Sequence, residues 1–313
     1  MSTIIRLCIA LALILVLALP AAAQVPTPGT DVLDAFARLA ALESYSANVQ
    51  TDIHQSLYIS QGDNNVTIEN ALTQQGSVHV QTTNGLPEGY ATLVHSFDAR
   101  AAGSETNLDM TLQMVFLGDD TFVKFSDVSP GSGRSLPADW VDWQSAAPLF
   151  PGADLVDTTA MRDLLTQPMI YPVQSDTMLW VEERAAQTLD GEAMRVYFVR
   201  LDPVAVFDQG GTAVLTRLLR DQGVGADRDG VRDLLTHAMQ IDLEVWVSMN
   251  DGLIRRMVDT TRINANVSQA AGLPLVLEQT SVTACELSGF NERVLVSVPP
   301  LMSPEVLVVS AGG

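Results

Sequence analysis

The chain has 313 residues, a formal net charge of −20 and 47% hydrophobic side chains. The acidic balance excludes nucleic acid as a partner, because a phosphate backbone is repelled by a field of its own sign. The apolar content excludes a disordered acidic chain and predicts a folded protein with a sizeable core.

The first 23 residues have the order of a secretory signal peptide. Arg6 precedes an apolar run from Leu7 to Leu19, and the small residues Ala21–Ala23 follow Pro20. This order predicts cleavage after Ala23 and an extracytoplasmic protein, either secreted or periplasmic. The run is shorter than the roughly 20 apolar residues that span a bilayer. No comparable run follows it, so we expect no stable membrane span after cleavage.

The cysteines argue against a lipid anchor and against a disulfide. A lipoprotein signal would need a cysteine directly after the cleavage point, where the chain has Gln24. Cys8 would be removed with the signal peptide, which leaves Cys285 without an intrachain partner. We therefore expect the core and the sheet to supply the stability.

Hydrophobic periodicity predicts one helix followed by a long series of strands. Residues 24–29 (QVPTPG) are predicted to form a short linker, and Thr30 or Asp31 to cap a helix that continues to about Glu43. From Tyr45 the apolar period changes to two, which is typical of half-buried strands. Strands are predicted at residues 45–54, 71–81, 90–97, 108–116, 122–125, 177–184, 193–201, 241–248, 253–263, 277–286 and 293–298.

The remaining segments complete an α+β architecture. Residues 129–172 are predicted to form an ordered crossing segment with a short helix at 158–165, and further helical patterns occur at 204–219 and 231–239. The fold class predicted is a curved antiparallel β-sheet, or half-barrel, with helices packed on the concave face. Residues 30–313 are predicted to form one domain. Two similar halves remain an alternative, because the order of helix then meander occurs twice.

Four short stretches carry a resemblance to a known family. They are Tyr45-Ser46-Ala47 after the first helix, the Leu189-Asp190-Gly191 turn before residues 195–199, residues 243–247 followed by 251–256, and Phe290-Asn291 before residues 294–298. In this order the chain resembles the LolA-like lipoprotein-carrier superfamily of bacterial envelopes, of the LppX and LprG type. The resemblance implies a half-barrel closed by helices that holds lipid or an acylated protein in the apolar space between them.

The sequence shows no catalytic or metal-binding pattern, and we expect no enzyme activity, no cofactor and no metal. The histidines have no ligand spacing and are expected on the solvated surface; they are His54, His79, His95 and His237. The Asp-Arg-Asp-Gly stretch at residues 227–230 does not have the spacing of a calcium loop, and it is expected to cap a helix. Residues 130–133 lack the first glycine of a serine-hydrolase motif. Cys285 is expected to be a buried, inert thiol.

The apolar surplus is the feature that points to a function. If the helices stand apart from the sheet, the space between them would hold a lipid or another hydrophobic small molecule. The side chains expected to line that space are Phe36, Leu39, Val49, Met110, Leu112, Met114, Leu218, Leu243 and Val245. The alternative is a filled core. In that case the protein is an envelope protein-interaction or sensor module that binds a protein through a sheet edge or the segment Trp140–Trp143.

Overall fold

The computed structural model describes residues 27–61, 64–101, 104–129, 138–146, 173–208, 236–266 and 275–301. Several expectations fall outside these ranges. They are the signal peptide with its cleavage site, most of the crossing segment, the motif-like residues 130–133, the acidic residues 227–230, and most of the helical regions 204–219 and 231–239 with Leu218.

Helix α1 runs from Pro28 to Ala40. Its N-cap is Thr27, whose hydroxyl accepts a hydrogen bond from the Thr30 amide at 3.4 Å. Pro28 occupies the first turn, where its missing N–H costs nothing. The prediction of a cap at Thr30 or Asp31 was therefore wrong, and Pro28 and Gly29 belong to the helix and not to a linker.

Eleven described strands form a single sheet. They are β1 (Ser44–Gln61), β2 (Asn64–Thr83), β3 (Leu86–Ala101), β4 (Ser104–Leu117), β5 (Asp120–Ser126), β6 (Val141–Asp142), β7 (Met178–Leu189), β8 (Glu192–Leu201), β9 (Met239–Ser248), β10 (Ile254–Asn266) and β11 (Leu275–Ser288). Two short helices accompany them, α2 (Trp143–Ala146) and α3 (Pro203–Asp208).

The strand order is β6-β5-β4-β3-β2-β1-β11-β10-β9-β8-β7, and every neighbouring pair is antiparallel. The sheet has two edges among the described strands, β6 and β7, so it does not close on itself. The predicted fold class, an α+β fold built on a curved antiparallel sheet that does not close, is confirmed.

One face of the sheet carries the core, and we call it the inner face. On β1 it is the face of Tyr45, Ala47 and Val49, because side chains of a strand alternate between its two sides. Val32, Ala35 and Leu39 of α1 and the inner-face residues of the sheet belong to one buried cluster.

An ion pair and two hydrogen bonds hold α1 on the half of the sheet that contains β7 to β10. The Asp31 carboxylate lies 2.7 Å from Nη2 of Arg195 and accepts a hydrogen bond from the Tyr197 hydroxyl at 3.2 Å. At the other end of the helix, Nη1 of Arg38 donates to the carbonyl of Asp251 at 3.4 Å. Burial raises the pKa of Tyr197, so its hydroxyl stays protonated and remains a donor.

Two inner-face glycines allow neighbouring strands to approach closely. A Cβ at Gly76 would lie 2.0 Å from the carbonyl oxygen of Thr92, and a Cβ at Gly89 would lie 2.0 Å from that of His79. Glycine inside a strand often marks such a close approach or a bend. Both glycines therefore allow β2 and β3 to approach each other more closely than a residue with a Cβ would permit.

The predicted strand at residues 293–298 was wrong, because these residues are irregular in the structure. Both sides of β11 are already paired, one with β1 and the other with β10, so no edge is available beside it. The chain instead crosses the end of the sheet. The Val294 amide donates to Oε1 of Gln81 at 3.1 Å, and the Glu43 amide donates to Oδ1 of Asn291 at 3.0 Å.

We expect Gly76→Ala to destabilise the protein by more than about 3 kcal/mol, because the new methyl group would collide with backbone that cannot move independently. Urea unfolding monitored by circular dichroism measures the change. Ser77→Ala, at the next position and on the outer face, is the matched control and should stay within about 0.5 kcal/mol of the parent protein. Equal midpoints for the two variants would contradict the close approach.

Candidate functional site

The inner face is apolar and densely packed at the end near β1's first residues. Residues paired in register across adjacent strands form one level of the sheet. At one such level, Ala47 of β1 pairs with Val78 of β2, and the pairing continues through Ala91 and Met114 to Val123 of β5. All five side chains are buried. This part of the sheet is a filled core.

Eight of the nine residues expected to line a ligand space lie in described ranges and belong to this core or its margin. Those buried in it, each at most 3% exposed, are Leu39, Leu112, Met114, Leu243 and Val245. Phe36, Val49 and Met110 are partly exposed and pack against the core from its margin. The structure therefore brings the eight together, and their role in lining a ligand space stays a prediction.

The inner face changes character one level beyond Val49. The residues of that level form a row across five adjacent strands, from β3 through β2, β1 and β11 to β10. We call it the polar row; it consists of His95, Gln74, Thr51, Thr283 and Asp259. At its two ends, His95 pairs with Met110 and Asp259 pairs with Leu243, so two of the expected lining residues flank the row.

Hydrogen bonding within the polar row is sparse. The hydroxyls of Thr51 and Thr283 lie 3.1 Å apart and bond to each other. The Asp259 carboxylate accepts from Oγ1 of Thr261 at 3.2 Å. Nε2 of His95 is buried and has no hydrogen-bond partner among the residues that the structure describes.

Burial controls the protonation of the two titratable members of the row. It raises the pKa of Asp259 to about 7, against a smaller lowering by the Thr261 hydroxyl. It lowers the pKa of His95, so the imidazole is neutral at neutral pH. The row therefore carries no positive charge and at most one partial negative charge near pH 7.

Beyond the row the inner face is again mixed. Ile53 pairs with Leu72 of β2 at the next level, and both are partly exposed. One level further, Nε2 of Gln55 donates to Oε1 of Gln279 at 3.2 Å, and Nδ2 of Asn70 donates to Gln55 at 2.9 Å. On β1 to β4, apolar levels thus lie on both sides of the polar row.

The expectation of solvated histidines was wrong for His79 and His95, both of which are buried. On the outer face the His79 ring stacks on Tyr90 at 5.5 Å, and its Nδ1 lies 3.0 Å from Oγ of Ser46. His95 shares the inner face with Leu93 and Phe97. The alternation in residues 91–97 already placed His95 on that apolar side, and this was the signal that sequence reasoning missed.

The Cys285 thiol is buried, as expected from the sequence, and its burial raises its pKa to about 12. Among the described residues, no group of three or more His, Cys, Asp or Glu side chains is placed to hold a metal ion. In the same ranges, no helix is long and apolar enough to cross a membrane.

Asp242 on the outer face is paired with arginines, in contrast to Asp259. The Asp242 carboxylate lies 2.8 Å from Nε of Arg200 and 3.2 Å from Nη1 of Arg262. Although burial acts to raise the pKa of Asp242, the hydrogen bond from Arg200 and the other contacts outweigh it and lower the pKa. Asp242 is buried and Asp259 is partly exposed, and only Asp242 has cationic partners in the described structure.

Comparison with known proteins identifies similar solved structures only. No family model matches the chain, and no curated protein matches it. The lipoprotein LppX of Mycobacterium tuberculosis is 12% identical with a TM-score of 0.33, and the alignment covers 88% of this chain and 100% of that one. LprF of Mycobacterium bovis is 11% identical with a TM-score of 0.38, over 88% and 98% of the two chains.

An outer membrane lipoprotein-sorting protein domain from Vibrio parahaemolyticus is 8% identical with a TM-score of 0.23, over 85% of this chain and 93% of that one. All three matches have TM-scores below 0.5. At this level of similarity they transfer neither a ligand nor an activity to this chain.

We expect Asp259 to lower the stability of the protein as the pH rises from about 4 to about 7. Its folded pKa of about 7 exceeds the unfolded value of about 3.9, so only the folded state keeps the proton in this range. Asp259→Asn should therefore exceed the parent protein in unfolding free energy by on the order of 2 kcal/mol at pH 8. The difference should vanish towards pH 4.

Urea unfolding at pH 4, 6 and 8 measures this dependence. Asp34→Asn, which removes an exposed carboxylate from α1, is the matched control for net charge. A pH-independent difference between Asp259→Asn and the parent protein would show that the effect comes from packing and not from the buried charge.

Proposed function

We propose that the chain is a secreted or periplasmic, non-catalytic protein that binds an apolar ligand, a lipid or an acyl chain, between the sheet and its helices. The observation that carries the proposal is the apolar inner surface that continues past the packed core. Ile53, Leu72, Phe97 and Leu108 form one level across β1 to β4, and all four are partly exposed.

The dimensions of the elements support this proposal. The 13 residues of α1 span about 20 Å at helical rise. The 18 residues of β1 span about 60 Å at the rise of a strand. Since α1 contacts β7 and β10, it does not cover much of the inner face of β1 to β4.

The energetics favour a chain-like ligand on such a surface. Each buried methylene contributes about 0.8 kcal/mol, so an acyl segment of ten methylenes gains roughly 8 kcal/mol before the cost of association. Met110, which lies beside the partly exposed level, has a flexible side chain that adapts to ligands of different shape. The extracytoplasmic location and the lack of catalysis rest on the signal-like first 23 residues and on the absence of a catalytic motif in the sequence.

One observation favours the alternative of an envelope protein-interaction or sensor module. Edge strand β7 exposes Leu179 and Trp180, with Trp180 packed edge-on against Phe198 at 5.5 Å. An exposed edge strand with apolar side chains is a template for pairing with another chain. The segment Trp140–Trp143 fits this role less well, because Trp143 is buried against Phe125.

Native mass spectrometry of the processed protein, purified from its host, tests the proposal. We expect a reproducible adduct of lipid mass that disappears on denaturation and is recovered by organic extraction. A protein without adduct that also takes up no offered lipid would contradict the proposal and favour the interaction module.

A pair of variants tests whether the inner face binds the ligand. Ile53→Glu places a charge on the partly exposed apolar level, and His54→Glu places the same charge on the outer face of the same strand. Because burying a charge against an acyl chain is costly, Ile53→Glu should abolish the adduct while His54→Glu retains it. Equal adduct levels in two folded variants would locate the ligand elsewhere.

A further inference from the structure

The polar row is placed within the surface that the proposed function assigns to the ligand, and the inference drawn here rests on that function. Adjacent strands lie about 4.8 Å apart, so five residues in register form a line of roughly 19 Å across the sheet. The line separates the level of Val49, which is apolar, from the level of Ile53, which is apolar on β1 to β4 and continues as Ser281 and Thr261 on β11 and β10. A ligand lying along the strands would cross it.

The row has unused hydrogen-bonding capacity. His95 is 7% exposed, and its Nε2 has no partner among the described residues, although buried polar atoms in proteins are nearly always bonded. Thr51, Gln74, Thr283 and Asp259 are partly exposed on the same side. A polar group placed on the row would meet the partly exposed side chains at its centre, Thr51 and Thr283.

The chemistry of the row selects the kind of group it would bind. Threonine hydroxyls and the glutamine amide both donate and accept hydrogen bonds. The row contains no lysine or arginine, and its one carboxylate has no ion pair in the described structure, unlike Asp242 with Arg200 and Arg262. Such a surface suits hydroxyl, amide or ester groups, whereas a phosphate or carboxylate would lose its water without gaining a cation.

We propose that the polar row binds the uncharged, hydrogen-bonding head group of an amphipathic ligand whose acyl chain lies on the adjoining apolar levels. The head group bonds to the hydroxyls of Thr51 and Thr283, which lie side by side at the centre of the row. Selection against anionic amphiphiles follows from the same arrangement.

Twelve-carbon amphiphiles that differ only in the head group test the proposal on delipidated, processed protein. The probes are 1-monolauroylglycerol, laurate and dodecyl phosphate, titrated at pH 7.5 by isothermal calorimetry below their micellar concentrations. We expect monolauroylglycerol to bind at least about tenfold more tightly than either anion. Equal affinities for all three would overturn the assignment of the head group and leave apolar binding in place.

A double variant locates the head group on the row. Thr51→Val with Thr283→Val removes both hydroxyls at nearly constant volume. The double variant should bind monolauroylglycerol about tenfold more weakly, while its affinity for laurate stays the same. Thr73→Val with Thr280→Val removes two exposed hydroxyls from the outer face of β2 and β11 and is the matched control. Unchanged binding of monolauroylglycerol in the first double variant would overturn the proposal.

His95→Leu supplies an independent readout. Removal of the buried, unpartnered nitrogen should raise the urea midpoint of the ligand-free protein. Because His95 lies two strands away from Thr51, the preference for monolauroylglycerol over laurate should be unchanged. Loss of that preference in His95→Leu would overturn the assignment of the head group to Thr51 and Thr283. If none of the three amphiphiles binds the parent protein, the proposed function itself fails, and this result differs from a loss of head-group preference.

Discussion

The pairing of β1 with β11 is the interaction on which the rest of the structure depends. It joins the first of the described strands to the last, and the hydrogen bond between Thr51 and Thr283 spans 232 residues. Strands β1 to β6 form one meander and β7 to β11 another, and this pairing is the seam at which they become one sheet. Without it both partners would be edge strands, and the inner face would be divided in two.

The same seam determines where the polar row can exist. Its central residues, Thr51 and Thr283, belong to different meanders, and the row continues from them to His95 on one side and Asp259 on the other. A shift of one residue in this register would turn every inner-face side chain of one meander to the outer face. Long-range pairing of this kind has a large entropic cost during folding, so we expect the seam to form late.

The inner face has two roles: it forms the packed core of the protein, and it provides the partly exposed surface proposed to bind the ligand. Near the first residues of β1 it is filled by buried residues such as Met114 and Val245, which supply the stability of a protein without a disulfide in its described part. Further along the strands, Ile53 and Leu72 remain partly exposed beside polar side chains. A site for an amphipathic ligand needs both, because an apolar surface provides affinity and a few placed polar groups provide orientation and specificity.

The sequence by itself determined the elements, since they depend on local periodicity and turn chemistry. Period-two alternation located most of the strands and the fold class, and the Asp190-Gly191 turn joins two strands as expected, with both residues at positive φ. The helix cap was misplaced because Thr27 and Thr30 both offer a hydroxyl. Capping by Thr27 depends on its own extended backbone conformation directly before Pro28.

Only the tertiary structure decided which residues meet across the sheet. Residues 293–298 alternate like a strand, yet they remain irregular because β11 already has a partner on each side. His79 is buried by stacking on Tyr90 of the neighbouring strand, and local polarity does not encode that contact. The polar row likewise arises from registers between strands far apart in the chain. Such registers are fixed by packing of the whole inner face, and no local stretch of sequence specifies them.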